Sequence, residues 1–525
     1  MASSSTLIGL IVAVGCTVLY LILGNNKKPR LPPGPKGLPL LGNLSDLPEP
    51  GEREYEVWTK HKELYGPISS LRIFGQTIIV INSADLAMEL LDKRATTSYA
   101  RPSMVFAGEM CGWNKIMMFQ APRRLRAYRR HFHNIIGSQS SLLKFTPLLE
   151  TEVKRFLVRV LERPDDLLQH VRTEAGAIIL KLTYGYDIEP HKQDPLIKLA
   201  EDAMDQFSHA AAPGAWIVDL IPAFKYLPDW MPGSDFKRTA RLWQKTFLKL
   251  GNVPMRFAQR QMKAGHREPS FVSSAYEKSG GSMTAEEDDI ATWSAASMYA
   301  GGADTSVSSM QLFFLAMSIH TEIQRKAQAE IDHVIGNDRL PTLADRAHLP
   351  YVSALVSEVL RWHVIAPLGL PHVTTAESTI GGYRIPKDST IIPNIWLFAH
   401  DPETYKQPMD FRPERFLGDS PERDPRDFVF GFGRRICPGR ALADSSVWLT
   451  VAMSLAALVI EKGVDEEGNV IEPEVKFTPG VISHPIPFKT SIRARSQRYA
   501  ELVKEVEETY PWVEGMSEKL EGLDA

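Results

Sequence analysis

Between Phe430 and Gly439 the chain reads Phe-Gly-Phe-Gly-Arg-Arg-Ile-Cys-Pro-Gly, and no other stretch narrows the possible folds as far. Gly433 and Gly439, either side of Cys437, remove side chains and leave a backbone able to press close against a flat cofactor. An apolar, helix-like run follows from Ala441 to Ile460. A cysteine just ahead of a helix N-terminus meets unpaired N–H groups and the positive end of the dipole, which favour thiolate over thiol. Such a thiolate is suited to hold a heme iron, with Arg435 two residues earlier within reach of a heme propionate. A lone cysteine is more often a buried bystander. The spacing of Phe430, Gly433, Arg435, Cys437 and Gly439 argues against that here.

The other cysteines, Cys16 and Cys111, make no disulfide framework with Cys437, which fits a body kept in a reducing compartment. The formal net charge of -3 argues against nucleic-acid binding through bulk charge. Residues 1–26 carry no charged side chain and Leu7 to Leu23 is nearly all apolar, about the shortest run that spans a bilayer as a helix. A cleaved signal peptide is the rival reading, but no basic residue precedes the apolar run and no clear small-x-small site follows. Lys27, Lys28, Arg30 and Lys36 come next. Positive charge stays on the cytoplasmic side, so the N-terminus is expected in the lumen and the body in the cytosol. The expected division is an anchor at 1–26, a basic, proline-rich hinge at 27–42, a body at 43–497 and a tail at 498–525 with no assigned function.

Along the body, Ile68 to Ile73 and Thr77 to Ile81 read as strands parted by a turn at Phe74-Gly75-Gln76, and Ser83 caps a short helix reaching Asp92. The segment from Arg101 to Phe119 is irregular and rich in methionine, a composition that fills core gaps. Arg123, Arg124, Arg126, Arg129 and Arg130 crowd one helical segment. From Thr146 to Ala212 amphipathic helices are expected, without chemistry of their own. Prolines and aromatics from Ala212 to Pro232 suit either a packed loop or a flap that dips into a membrane surface. Thr284 with Glu287 forms a capping box that opens a long helix to about His320. Inside it lies Ala300-Gly301-Gly302-Ala303-Asp304-Thr305-Ser306, where paired glycines mean either close helix packing or a local opening. Glu358 and Arg361 share a helix face.

Taken together, the decapeptide around Cys437, the run Gly302-x-Asp304-Thr305, Glu358-x-x-Arg361 and Phe411-Arg412-Pro413-Glu414-Arg415-Phe416 resemble the cytochrome P450 monooxygenases in order and spacing. The resemblance implies a mainly α fold with small β-sheets, preceded by the transmembrane helix. It implies heme b with Cys437 as the axial thiolate, and Arg129, His372 and Arg435 as a clamp on the propionates. Arg129 matches the arginine of the family's Trp-x-x-x-Arg pattern, but Leu125 stands at the tryptophan, so one propionate contact is missing. Thr305 is expected to hydrogen-bond iron-bound dioxygen and Asp304 to pass protons, while Glu358, Arg361 and Arg415 have a folding role. The loop from Arg101 to Phe119, together with Ala366, Leu368, Leu370, Val373, Val481, Ile482 and Ser483, is expected against the substrate. The partners implied are O2, a lipophilic small molecule, membrane lipid and NADPH-cytochrome P450 reductase, which would dock on a basic face including Arg124, Arg126 and Arg130. The implied location is the endoplasmic reticulum membrane. Pro371-His372-Val373-Thr374, Pro393-Asn394-Ile395-Trp396 and Ile482-Ser483-His484-Pro485 resemble the fungal secondary-metabolism branch. A heme-thiolate isomerase or dehydratase, or a heme-binding sensor, remains an alternative at this point.

Overall fold

A computed structural model describes residues 30–49, 51–212 and 214–523. The expected anchor therefore lies outside the described residues, among which no helix is long and apolar enough to cross a membrane.

Near the start of the body, α1 (Glu54–Tyr65) precedes the hairpin of β1 (Ile68–Ile73) and β2 (Gln76–Ile81). Phe74 and Gly75 both take positive φ, 47° and 85°, so the turn is the tight two-residue kind that matches strand twist. β3 (His372–Val373) and β6 (Thr390–Pro393) complete a four-stranded sheet in the order β1-β2-β6-β3. β2 and β6 run parallel, and Ile79 pairs with Ile391 in their shared core face. Two further pairs, β4 (Ser378–Ile380) with β5 (Tyr383–Ile385) and β7 (Leu458–Lys462) with β8 (Thr490–Ala494), are antiparallel ribbons.

The longer helices dominate the rest: α2 (Pro122–Ile136), α3 (Thr146–Glu162), α4 (Leu167–Tyr184), α5 (Pro195–Ala210), α6 (Asp235–Lys263), α7 (Ala285–Ile319), α8 (Thr321–Val334), α9 (Pro350–Trp362), α10 (Arg440–Ala457) and α11 (Gln497–Thr509). The organising helix is α7, at 35 residues. Thr284 and Glu287 close its capping box as the sequence predicts, satisfying donors that no intrahelical carbonyl can reach. Beyond the first turns α7 has apolar residues on every side and is buried over most of its length, save residues 301–306, the pattern of a helix enclosed by neighbours; it packs against α2, α4, α5, α6, α9 and α10. Ser83 accepts from Leu86 N, but the α-helix it caps ends at Ala87 and continues as a π-helical stretch, Met88–Lys93.

Below the core, Glu358 of α9 receives Arg361 at 2.7 Å and Arg415 at 3.1 Å, with all three side chains sealed from solvent. The pairing expected from the motifs thus forms, and Arg361 also donates to the carbonyls of Ala399, Pro408 and Asp410. These bonds tie α9 to the irregular segment that leads toward Cys437.

The tail is ordered against the body. α11 buries Tyr499, Val503 and Val506 on α3 and α10. The chain then runs back over α3, the end of α4 and α6. Arg155 and Arg159 stack on Trp512, Ser517 bonds to Glu189, and Arg260 donates to the carbonyls of Lys519 and Glu521.

Candidate functional site

A cavity of about 350 Å³ lies between the middle of α7 and the loop that feeds α10. That loop is shaped by its glycines and by its own backbone bonds. Gly431 and Gly433 take positive φ, 78° and 48°, and Cys437 N donates to Phe430 O at 2.7 Å. A Cβ on Gly433 would stand 2.5 Å from Leu91 O and 2.7 Å from Ala95 Cβ. Its missing side chain therefore makes room for the segment carrying those residues, and not for a cofactor face. A Cβ on Gly439 would meet only ordinary contacts, 3.9 Å from Cys437 Sγ.

Cys437 opens onto the cavity and also borders a second pocket lined by His133, Gly137 and Arg440, with protein packed around it otherwise. Burial pushes the thiol pKa up. The N–H groups of Gly439 and Arg440 and the charges of Arg129 and Arg440 pull it down, but by less. The helix start expected from the sequence is present, with Gly439 at the cap of α10; desolvation outweighs its preference for thiolate.

Facing the same space are three guanidinium groups. Arg129 donates to Ile436 O. Arg435 donates to the carbonyls of Tyr99, Met118 and Gln120 at 2.8, 3.2 and 2.9 Å. Arg101 donates to Leu370 O and Pro371 O at 2.5 and 2.9 Å. None of the three meets a carboxylate among the described residues, and the Nε atoms of Arg101 and Arg129 are buried without any partner. Burial, then repulsion from Arg435 and Arg129, drives the pKa of Arg101 from 12.5 to about 9. Burial and the Arg129 charge bring Arg435 to about 10. His372, in β3, donates Nδ1–H to Ser98 O at 2.8 Å, and burial followed by Arg101 holds its pKa well below the usual value. Uncompensated buried cations at this density are costly unless an anion sits among them. The donor set therefore fits a ligand with more than one negative charge and a soft metal site at the Cys437 end.

The opposite wall belongs to α7, which runs through the glycine pair without a break. The two glycines differ. A Cβ on Gly302 would stand 2.7 Å from Ile179 Cγ1, whereas one on Gly301 would meet nothing within 4 Å. Gly302 thus gives close packing and Gly301 gives open space. Thr305 lines the cavity and donates Oγ1–H to Gly301 O at 2.7 Å. Asp304 does not line it; its carboxylate meets His484 instead. Of the residues the sequence singles out, Phe430, Arg129, Arg435, His372, Cys437, Gly439 and Thr305 line this one cavity, while Gly433 and Asp304 do not.

Among the expected substrate contacts, Ile116, Met117, Met118, Ala366, Leu370, Val481 and Ile482 line the cavity. Phe106 is buried elsewhere, stacked on Trp216, and Trp113 packs at a tilt against Phe207, a residue of the lining, without reaching the cavity itself. Leu368 lies against a separate small core, and Val373 is held by Ala100 in a backbone bridge. Ser483 is sealed off, bonded to His363 at 2.8 Å. Arg124 is tied to Asp289 of α7, leaving Arg123, Arg126 and Arg130 exposed on α2. The sequence gives no site role to Glu174 or His484, and Arg101 enters only as the first residue of the loop expected against the substrate. Only Arg101 carries a hint, a cation in an apolar loop with no acid near it in sequence.

Comparison with known proteins gives the geometry a context. The sequence profile described as Cytochrome P450 matches residues 32–491. The chain is 46% identical over 499 residues to cytochrome P450 monooxygenase claR of Ampulloclitocybe clavipes, covering 94% of this chain and 92% of the relative. It is 45% identical to cytochrome P450 monooxygenase ppsD of Aspergillus oryzae, with 94% of each chain covered. It is 39% identical to O-methylsterigmatocystin oxidoreductase of Aspergillus flavus, over 94% of this chain and 93% of that one. An anion-seeking arginine cluster, a cavity cysteine and an apolar wall are what such a cofactor needs, and the match runs through all of them: the chain belongs to the cytochrome P450 family, monooxygenases that bind heme b through a cysteine thiolate.

Proposed function

We propose that this chain is a membrane-anchored monooxygenase of fungal secondary metabolism that inserts one oxygen atom of O2 into a lipophilic organic substrate. Electrons would come from NADPH through NADPH-cytochrome P450 reductase. The observation that carries the reading is the set of buried guanidiniums without counter-ions, placed across the cavity from an apolar wall.

Heme, when bound, supplies the metal at which O2 is activated. Cys437 holds it by the thiolate, which Arg129 and the Gly439 and Arg440 N–H groups favour. Arg101, Arg129 and Arg435 hold its carboxylates. His372 has already committed Nδ1–H to Ser98 O, so it joins the clamp only when a nearby anion draws a second proton onto its ring. Leu125, buried where the family's tryptophan is expected, adds packing but no donor, and leaves the arginines to carry the anion. Thr305 offers a hydroxyl already oriented by Gly301 O, and Asp304 is the adjacent acid for proton supply. Met117, Met118, Ile365, Leu370 and Ile482 exclude water and orient the substrate by shape.

The division into anchor (1–26), hinge (27–42), catalytic domain (43–497) and tail (498–525) belongs to this reading, with the catalytic domain on the cytosolic side of the endoplasmic reticulum. Its support is a run of exposed apolar side chains. Leu40 is 93% exposed and Trp230 is 79% exposed. Leu40 sits in the hinge, which Asn43 pins to the β1 edge through Arg72 O, and Leu47 approaches the flap at Gly214. Trp216, by contrast, stacks on Phe106 inside the protein. Arg123, Arg126 and Arg130 offer an exposed basic strip to an acidic redox partner.

The test is the reduced, carbon-monoxide difference spectrum of the full-length protein in membranes. A strongly red-shifted Soret band is expected, lost in Cys437→Ser. Thr305→Ala should keep the band but consume NADPH without matching product. A threonine variant with unchanged product per NADPH would remove Thr305 from the proton path. Metabolite profiles of the source organism with and without the gene then identify the substrate.

A further inference from the structure

Asp304 has one polar partner among the described residues, the ring of His484, whose Nε2 lies 3.2 Å from Oδ1 and 3.3 Å from Oδ2. Both side chains are mostly enclosed, at 16% and 19% exposure. The other ring nitrogen, Nδ1, is buried with no partner. A proton on Nδ1 would be a buried donor with nothing to meet, which costs more than a bare lone pair. The ring therefore carries its proton on Nε2 and donates it to the carboxylate. The turn that carries His484 is fixed independently. His484 N donates to Thr478 Oγ1 at 3.0 Å, and Ser308, one helical turn beyond Asp304 on α7, donates to Ser483 O at 2.7 Å.

We propose that His484 is a positioning residue for the monooxygenase reaction: its Nε2–H holds the Asp304 carboxylate in place beside Thr305. The inference rests on the reading of Asp304 as the acid of proton supply. Without the ring, nothing within reach orients that carboxylate. A hydrogen bond to a charged group is strong enough to bias orientation by about tenfold or more, so most turnovers would begin with the acid misplaced.

The experiment compares His484→Phe, His484→Gln, Asp304→Asn and Asp304→Asn/His484→Phe in membranes, each scored for the carbon-monoxide band, product per NADPH and peroxide. The phenylalanine should keep the band and lose product per NADPH about tenfold. Glutamine, which retains an N–H donor near the Nε2 position, should restore most of it. The double variant should be no worse than Asp304→Asn alone, because the two residues act in series. If phenylalanine abolishes the band, His484→Ala, which adds no bulk, takes its place. Full coupling in the phenylalanine or alanine variant beside an uncoupled Asp304→Asn overturns the role of His484. Glutamine failing as badly as phenylalanine, or losses that add in the double variant, overturns it as well. Full coupling in Asp304→Asn overturns the underlying reading of Asp304 instead.

Discussion

Replacing Arg101 with methionine should move the heme-free and heme-loaded proteins in opposite directions. Methionine keeps the apolar stem of arginine and removes its charge. In the heme-free chain that charge is penalised by burial and by its two guanidinium neighbours. The fall of its pKa from 12.5 to about 9 corresponds, at ~1.4 kcal/mol per tenfold, to roughly 5 kcal/mol as an upper bound. Heme-free Arg101→Met should therefore melt above heme-free wild type. In the loaded protein the same charge is repaid by the cofactor's carboxylates, so its removal should weaken retention. If half of the penalty is recovered on binding, the variant loses heme faster by about 50-fold to 100-fold. The assay is transfer of heme to an excess acceptor, followed by absorbance, beside thermal melts of chains made with and without heme supply. Arg101→Lys, which keeps a cation, should lie between the two. The reasoning is refuted if Arg101→Met loses heme no faster than wild type, or if the heme-free variant is the less stable one.

Three further outcomes are expected. Glu358→Ala strands Arg361 and Arg415 without their anion; breaking a buried pair in this way costs ~3–5 kcal/mol, and denaturant melts should show it. Glu174 is wholly buried, accepts from Thr450, and has its pKa raised by burial from 4.5 to about 8. Its contribution is fully present below about pH 4.5 and is lost as pH rises through about 8, so Glu174→Gln should match wild type near the acid end and exceed it near pH 8, by up to ~5 kcal/mol. Gly433→Ala adds left-handed strain of ~1–2 kcal/mol and a Cβ 2.5 Å from Leu91 O; the carbon-monoxide band per chain should fall while far-ultraviolet circular dichroism stays unchanged.

What could be read from the sequence was what is local. The capping box at Thr284, the boundaries of α7, the β1–β2 hairpin and the Glu358 cluster rest on spacing, capping chemistry and turn residues. The loop around Cys437 was legible for the same reason, as a dense pattern within ten residues. Contacts between distant segments were not. Arg101 meets Arg435 across 334 positions and Asp304 meets His484 across 180, and no periodicity encodes either. Glu174 looks like any polar residue of an amphipathic helix until α4 is turned against α10. The glycine pair allowed two readings; Gly302 packs closely and Gly301 borders open space in an unbroken helix, because only packing could say which of them faces Ile179.

The tail has a practical consequence. The family profile ends at residue 491, and a protein engineer guided by homology would cut there or hang a purification tag just beyond it. Such a cut would uncover the apolar face of α11's docking site on α3 and α10 and remove what Trp512, Ser517 and the last carbonyls give to Arg159, Glu189 and Arg260. Kinship and mechanical integrity thus draw different boundaries on this chain, and expression trials that follow the first would report insolubility that has nothing to do with the catalyst.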